Sequence, residues 1–290
     1  DDWMDAFWRS RADVEDDFRF VYAGPAGTFT PMHSDVYDSY SWSCNVRGIK
    51  RWLLFPPDQR TFLLDAAGRN LVYSAVEHLA DPLERQDFAR SQVHPCEPGT
   101  LVSTDEFPQL SKAHFFVVWQ AEGDCIFVPS GWIHEVLNVV DAISVNHNWA
   151  NAANAVRMAQ RLCSDLVQVH REIAHLADDS SYEAIAQDLL KAHAGIDVAE
   201  FLAYLEFNMC HILQAGAGDR THEAATVLGE SGRGAEKASK RWVEYSVKAV
   251  GAALDCLSNA TNDILPDHSL IGEAGQEGVD RLRRKLTQRR

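Results

Sequence analysis

From Phe18 to Asn148 apolar and polar side chains alternate in short runs, and after Trp149 the spacing lengthens to that of helices. A period of two puts successive side chains on opposite faces of a strand, whereas a period of 3.6 paints one stripe along a helix. The alternation predicts strands at Phe18–Ala23, Thr30–Tyr37, Tyr40–Val46, Lys50–Phe55, His114–Trp119, Cys125–Val128, Ile133–Leu137 and Ala142–Asn148. Turn signals separate them, at Gly24-Pro25-Ala26-Gly27 and Glu122-Gly123-Asp124 among others. Pro56-Pro57 ends the fourth run, because proline cannot continue a ladder. Short strands at this rhythm predict a jelly roll, a double-stranded β-helix.

The fold class expected is therefore mainly β with α, the jelly roll being followed by a C-terminal helical region. Ala150–Leu176 carries Val156, Ala159, Leu162, Leu166, Val169 and Ile173 on one stripe. Ser180 with Glu183 reads as a capping box for the next helix, and Gly195 as its end. Asp197 with Glu200 opens another through about Leu213, Gly216–Gly234 reads as a polar linker, and helices follow at Glu236–Leu257 and Val279–Arg290. Trp3, Phe7 and Trp8 stand at near-helical spacing in an acidic entry segment. Asp58 is placed to cap a short helix through Leu64. Asn70–Lys112 is the least regular stretch and reads as an insertion between two halves of the barrel. The organisation expected is an entry segment at 1–17, a barrel at 18–150 with the insertion at about 70–112, and helices at 151–290. The chain opens on Asp1 rather than Met, so it reads as part of a longer protein.

Composition narrows the functional classes. With 27 basic against 42 acidic residues the net charge is −15, which disfavours nucleic acid and favours a basic partner. No apolar run approaches the ~20 residues that span a bilayer, so no membrane partner is expected. Six scattered cysteines without a Cys-x-x-Cys suit a reducing, cytoplasmic setting and no zinc ribbon. The C-terminal helices carry no chemical motif and are read as packing or oligomerising surfaces.

The chemistry concentrates in two stretches. In an extended strand His33 and Asp35 project to the same side, which supplies two thirds of a 2-His-1-carboxylate site for Fe(II). His134, after the Pro129-Ser130-Gly131-Trp132 turn, is the third candidate. Lys50 opens an apolar run downstream and offers an ammonium to a dicarboxylate, while Arg51 beside it is read as solvated. His147, between Asn146 and Asn148, is read as facing away from them, and Trp42 and Trp52 as core.

These residues sit among longer matches: Phe20–Gly27, Ser41-Trp42-Ser43, Lys50–Pro57, Val128–Trp132 and Asn146–Trp149. Together they resemble the JmjC family of Fe(II)- and 2-oxoglutarate-dependent oxygenases, strongly over Arg19–Ala150 and loosely beyond. The resemblance implies a cupin-like barrel in which His33, Asp35 and His134 are catalytic metal ligands. It implies 2-oxoglutarate and O2 as co-substrates, with Lys50 on the distal carboxylate and Thr30, Ser43 and Asn148 near the co-substrate or metal. Ser43 stands where some relatives place Asn. Within the family the likeness points to hydroxylation of a lysine side-chain carbon in the translation release factor, with succinate and CO2 as co-products. Acidic residues of the insertion (Glu77, Asp81, Glu84, Asp105 and Glu106) are then expected to face the incoming lysine. The rival readings are an N-methyl-lysine demethylase and a non-catalytic cupin binding module.

Overall fold

The alternating half of the chain folds into strands β1 (Arg19–Gly24), β2 (Phe29–Ser34), β3 (Tyr40–Arg47), β4 (Lys50–Phe55), β5 (Gln92–Cys96), β6 (Phe115–Gln120), β7 (Cys125–Val128), β8 (Ile133–Asn138) and β9 (Ala142–Trp149). They form two antiparallel sheets, ordered β1-β9-β3-β7 and β2-β8-β4-β6-β5. This is the expected jelly roll. The coordinates are a computed structural model that describes residues 2–12, 18–80, 92–217, 233–266 and 269–288. They divide into two compact units, Phe18–Trp149 and the chain ends Asp1–Asp17 with Ala150–Arg290.

Strand β4 is buried along its whole length, and its alternation feeds two cores. Trp52 and Leu54 pack between the sheets with Val118, Ile126, Val128 and Val136. Leu53 and Phe55 point the other way with Phe115 and Val117 of β6, and there Leu63, Leu101 and Leu110 cover the five-stranded sheet. Much of the expected insertion therefore serves as a second core layer behind that sheet. The β3–β4 turn requires glycine at position 48. Its φ is +91°, and a Cβ there would lie 2.2 Å from the Asp141 carbonyl oxygen.

Several details differ from the sequence pattern. β5 appears inside the irregular stretch, and its Pro95 is tolerated because β5 is an edge strand, paired among the described residues only to β6. β2 stops at Ser34 instead of Tyr37, giving way to a 3-10 turn over Val36–Asp38 in which Tyr37 and Asp38 adopt φ of 56° and 50°. Pro57–Leu63 is a 3-10 helix without a side-chain cap, so Asp58 does not play the expected role.

The second unit holds α1 (Trp3–Arg9), α2 (Ala155–Ile173), α3 (Tyr182–Ala194), α4 (Val198–Ala217), α5 (Arg233–Asn259) and α6 (Gly272–Gln288). Asp2 caps α1 through the Met4 and Asp5 amides, and Phe7 packs edge-on against Tyr204 and Phe207 of α4. Asp197 caps α4 at the Glu200 amide, as expected, and Gly195 closes α3 at φ 79°. The capping box at Ser180 does not form: Ser181 flanks α3, and Glu183 instead accepts from the Glu273 amide. α6 starts seven residues before Val279. Its Gly275 and Gly278 lie where a Cβ would meet Val198 and Leu202 of α4. Residues 218–232 of the expected linker lie outside the described residues. Among those described, no helix is long and apolar enough to cross a membrane.

Candidate metal centre

The site is built on one strand pair. β2 and β8 run antiparallel with His33 directly opposite His134, and the two rings lie 4.2 Å apart. Asp35 follows the end of β2 but keeps an extended backbone (φ −59°, ψ 156°), so the alternation holds for one more residue. One ligand atom from each of His33, Asp35 and His134 lies within 4.8 Å of the other two.

The hydrogen bonds fit these three side chains to a metal. His33 Nδ1 lies 2.8 Å from the Pro31 carbonyl oxygen. A carbonyl can only accept, so the proton sits on Nδ1 and Nε2 keeps a free lone pair. His134 Nδ1 makes a longer approach, 3.4 Å, to the Trp132 carbonyl. Ser41 Oγ donates to Asp35 Oδ2 at 2.7 Å, which leaves Oδ1 for a cation. Burial pushes the His134 pKa down to about 4, with His33 adding to that effect and Asp35 opposing it, so the ring is neutral near pH 7. Two imidazole nitrogens and one carboxylate oxygen are the donor set of a non-haem Fe(II) centre.

A cavity of about 300 Å³ opens beside the three ligands, and Thr30, Lys50, Trp52 and Asn148 line it with Tyr22 and Asn146. Thr30 and His33 are an odd number of residues apart and would face opposite ways in a regular strand. A β-bulge between them shifts the phase and turns both inward. Lys50 is 5 % exposed, and burial lowers its pKa. No carboxylate among the described residues pairs with it. An ammonium buried without a counter-charge is costly, so the position suits an anionic ligand. Arg51 is also buried, at 8 % exposed, rather than solvated. It faces the other side of β4, with its guanidinium 5.9 Å over Trp119.

Comparison with known proteins agrees with this geometry. A cupin-like domain model matches residues 7–155, about half of the 290-residue chain. The chain belongs to the cupin-like domain family. It is 40% identical over 207 residues to the 2-oxoglutarate and iron-dependent oxygenase JMJD4 of Danio rerio, covering 71% of this chain and 43% of that protein. The JMJD4 of Homo sapiens is 38% identical over 206 residues, 71% of this chain and 44% of its own. The arginine-specific demethylase JMJ20 of Arabidopsis thaliana is 34% identical over 219 residues, 71% and 42% respectively. The chain thus spans under half the length of these relatives. They bear out the motif-based likeness to the JmjC oxygenases.

Within this cupin-like barrel the remaining expected positions divide. Asn148 lines the cavity and donates through Nδ2 to Ser39 Oγ at 3.0 Å. Ser43 does not line it: at 1 % exposed it donates to Asn146 Oδ1, 3.2 Å away, and Asn146 is the residue that reaches the cavity. His147 turns to the opposite face, where Nδ1 meets the Phe18 carbonyl oxygen at 3.1 Å. Trp52 is both core and cavity wall, its Nε1 fixed by Gln120 Oε1 at 2.9 Å. Glu77, Asp105 and Glu106 are not among the cavity residues, and Asp81 and Glu84 lie outside the described ones. Sequence reasoning missed Tyr22, Ser41 and Asn138. Asn138 was accessible to it, because it shares a strand face with His134 and Val136.

Ser41 supports a test of the carboxylate arm. Ser41→Ala removes the donor to Asp35 but no ligand, so iron affinity falls by roughly 10–100-fold. The thermal midpoint should move little. Isothermal titration of the metal-free chain with Fe(II) under nitrogen measures the first effect and a melting curve the second.

Proposed function

We propose that this chain is an Fe(II)- and 2-oxoglutarate-dependent protein hydroxylase that adds a hydroxyl to a lysine side-chain carbon of the translation release factor in the cytoplasm. The observation that carries the reading is the convergence of His33, Asp35 and His134 beside the unpaired, buried Lys50. Relatives named as iron- and 2-oxoglutarate-dependent oxygenases support the same cofactors. When bound, iron with 2-oxoglutarate and O2 supplies the oxidising power: the co-substrate goes to succinate and CO2, and one oxygen atom enters a C–H bond.

The chain's own residues place and shelter that chemistry. His33, Asp35 and His134 hold the metal, with their ring tautomers and carboxylate set by Pro31, Trp132 and Ser41. Lys50 neutralises the distal carboxylate of the co-substrate, and a charge-assisted bond in a buried site is a strong one. Thr30 and Asn148 offer further polar contacts along the same wall, and Trp52 and Val136 limit water. The net charge of −15 favours encounter with a cationic protein segment but does not choose a residue.

Demethylation is the second reading, favoured by the likeness to the arginine-specific demethylase of Arabidopsis. Incubating the chain with iron, ascorbate, 2-oxoglutarate and either the release factor or methylated histone tails separates the two. A gain of one oxygen on a release-factor lysine, seen by mass spectrometry, is the expected result. Loss of methyl groups from the histone tails, with the release factor untouched, would replace the hydroxylase by the demethylase. Succinate formation with neither substrate would retain the cofactors and reject both substrates.

A further inference from the structure

Two of the six cysteines face each other across the sheet that supports Asp35. Cys44 of β3 is paired in register with Cys125 of β7. The adjoining bond, Asn45 N–H to the Asp124 carbonyl at 2.9 Å, marks the pair as one of the non-hydrogen-bonded sites of the ladder. At such sites the α-carbons approach to about 4.5 Å, the closest side-chain spacing an antiparallel pair offers. A disulfide needs α-carbons about 4.4–6.8 Å apart, so it can form here without moving either strand. Both thiols are free, and each lies within electrostatic reach of the other. Their side chains leave the sheet on the face opposite Ser41 and Ser43, and Cys125 is exposed. Solvent therefore reaches the pair without passing through the cavity.

We propose that Cys44 and Cys125 are a reversible disulfide site that a hydroperoxide closes, stapling β3 to β7. The Cys125 thiolate attacks the peroxide, the O–O bond breaks, and Cys125 becomes a sulfenic acid as one molecule of water (or alcohol) leaves. Cys44 then attacks the sulfenyl sulfur, the S–S bond forms, and the second oxygen leaves as water. Two thiols lose two electrons and the peroxide gains them. Burial and the neighbouring Cys44 push the Cys125 thiol up to about 11, so the thiolate is scarce at neutral pH. The pair rests reduced, and it closes under sustained oxidant.

The link has a structural consequence that can be read directly. β3 carries Ser41, which holds Asp35, and β7 leads through the Pro129–Trp132 turn to His134. A bond between residues 44 and 125 closes a long loop and restricts the unfolded chain, which raises the thermal midpoint.

The test uses the whole chain, iron-free in chelator, treated with hydrogen peroxide and then alkylated without reductant. The expected result is the loss of two alkylatable thiols per chain, a Cys44 peptide joined to a Cys125 peptide after digestion, and recovery of both thiols with dithiothreitol. The thermal midpoint should rise by roughly 5 °C or more. Cys125→Ser and Cys44→Ala should each abolish both changes, and Cys210→Ser neither. Cys44 and Cys125 still alkylatable after other cysteines have reacted, Cys125 recovered as sulfinic acid, or a link between two chains would each overturn the proposal.

Discussion

Lys50→Ala raises the Michaelis constant for 2-oxoglutarate at least ~30-fold while iron content stays near one per chain. The magnitude follows from what the side chain faces. Leaving one partner of a buried charge pair alone costs about 2–5 kcal/mol, and each 1.4 kcal/mol is tenfold in affinity. Lys50 is buried on the cavity wall with no carboxylate of the described chain beside it, so the co-substrate is the counter-charge that the variant would strand. Arg51→Ala is the matched control. Arg51 is equally buried and also cationic, but it packs over Trp119 on the other face of β4. That variant should lower the melting temperature and leave the Michaelis constant alone. The reverse pattern would mean that the cavity wall has been assigned to the wrong strand face.

His134→Ala abolishes iron retention and cuts turnover by more than the ~10–100-fold that loss of a supporting residue costs. His134 is one of three ligands and the one delivered by the second half of the barrel, across from His33 in the ladder. Losing it leaves His33 and Asp35, too few donors to hold the ion against water. His147→Ala supplies the comparison: this histidine is also buried, on the next strand in sequence but in the other sheet, and it bonds the Phe18 carbonyl on the face turned from the cavity. It should keep its iron. Elemental analysis of both variants after desalting reads the difference, and an iron content unchanged in His134→Ala would remove His134 from the centre.

What made the centre readable in the sequence was strand parity. Counting by two joined His33 to Asp35; the same count joins His134 to Asn138, which was missed, and Lys50 to Trp52, which was read as core, and the structure places all of them on the cavity. Parity does not say how far along a strand the cavity reaches, and so it could not separate Ser41, which holds Asp35, from Ser43, which serves Asn146. β5 was hidden because an edge strand has only one ladder to satisfy and can carry proline. The start of α6 was hidden by Gly275 and Gly278, poor helix formers kept small by the approach of α4. The acidic residues of the 70–112 stretch looked like a substrate rim because charge shows composition and not direction. Much of the apolar part of that stretch went instead into covering a sheet.

Deleting a single codon at Pro31 or Met32 would remove the bulge and return β2 to one unbroken parity. Thr30 and His33 would then stand two residues apart, so Thr30 would stay opposite Val136 and His33 opposite His134, both still facing the cavity. The bulge thus holds one residue that the ladder does not pair, and the strand can lose it without turning either side chain. A barrel of this kind can therefore vary by one residue at this point while the wall and the ion's ligands keep their faces.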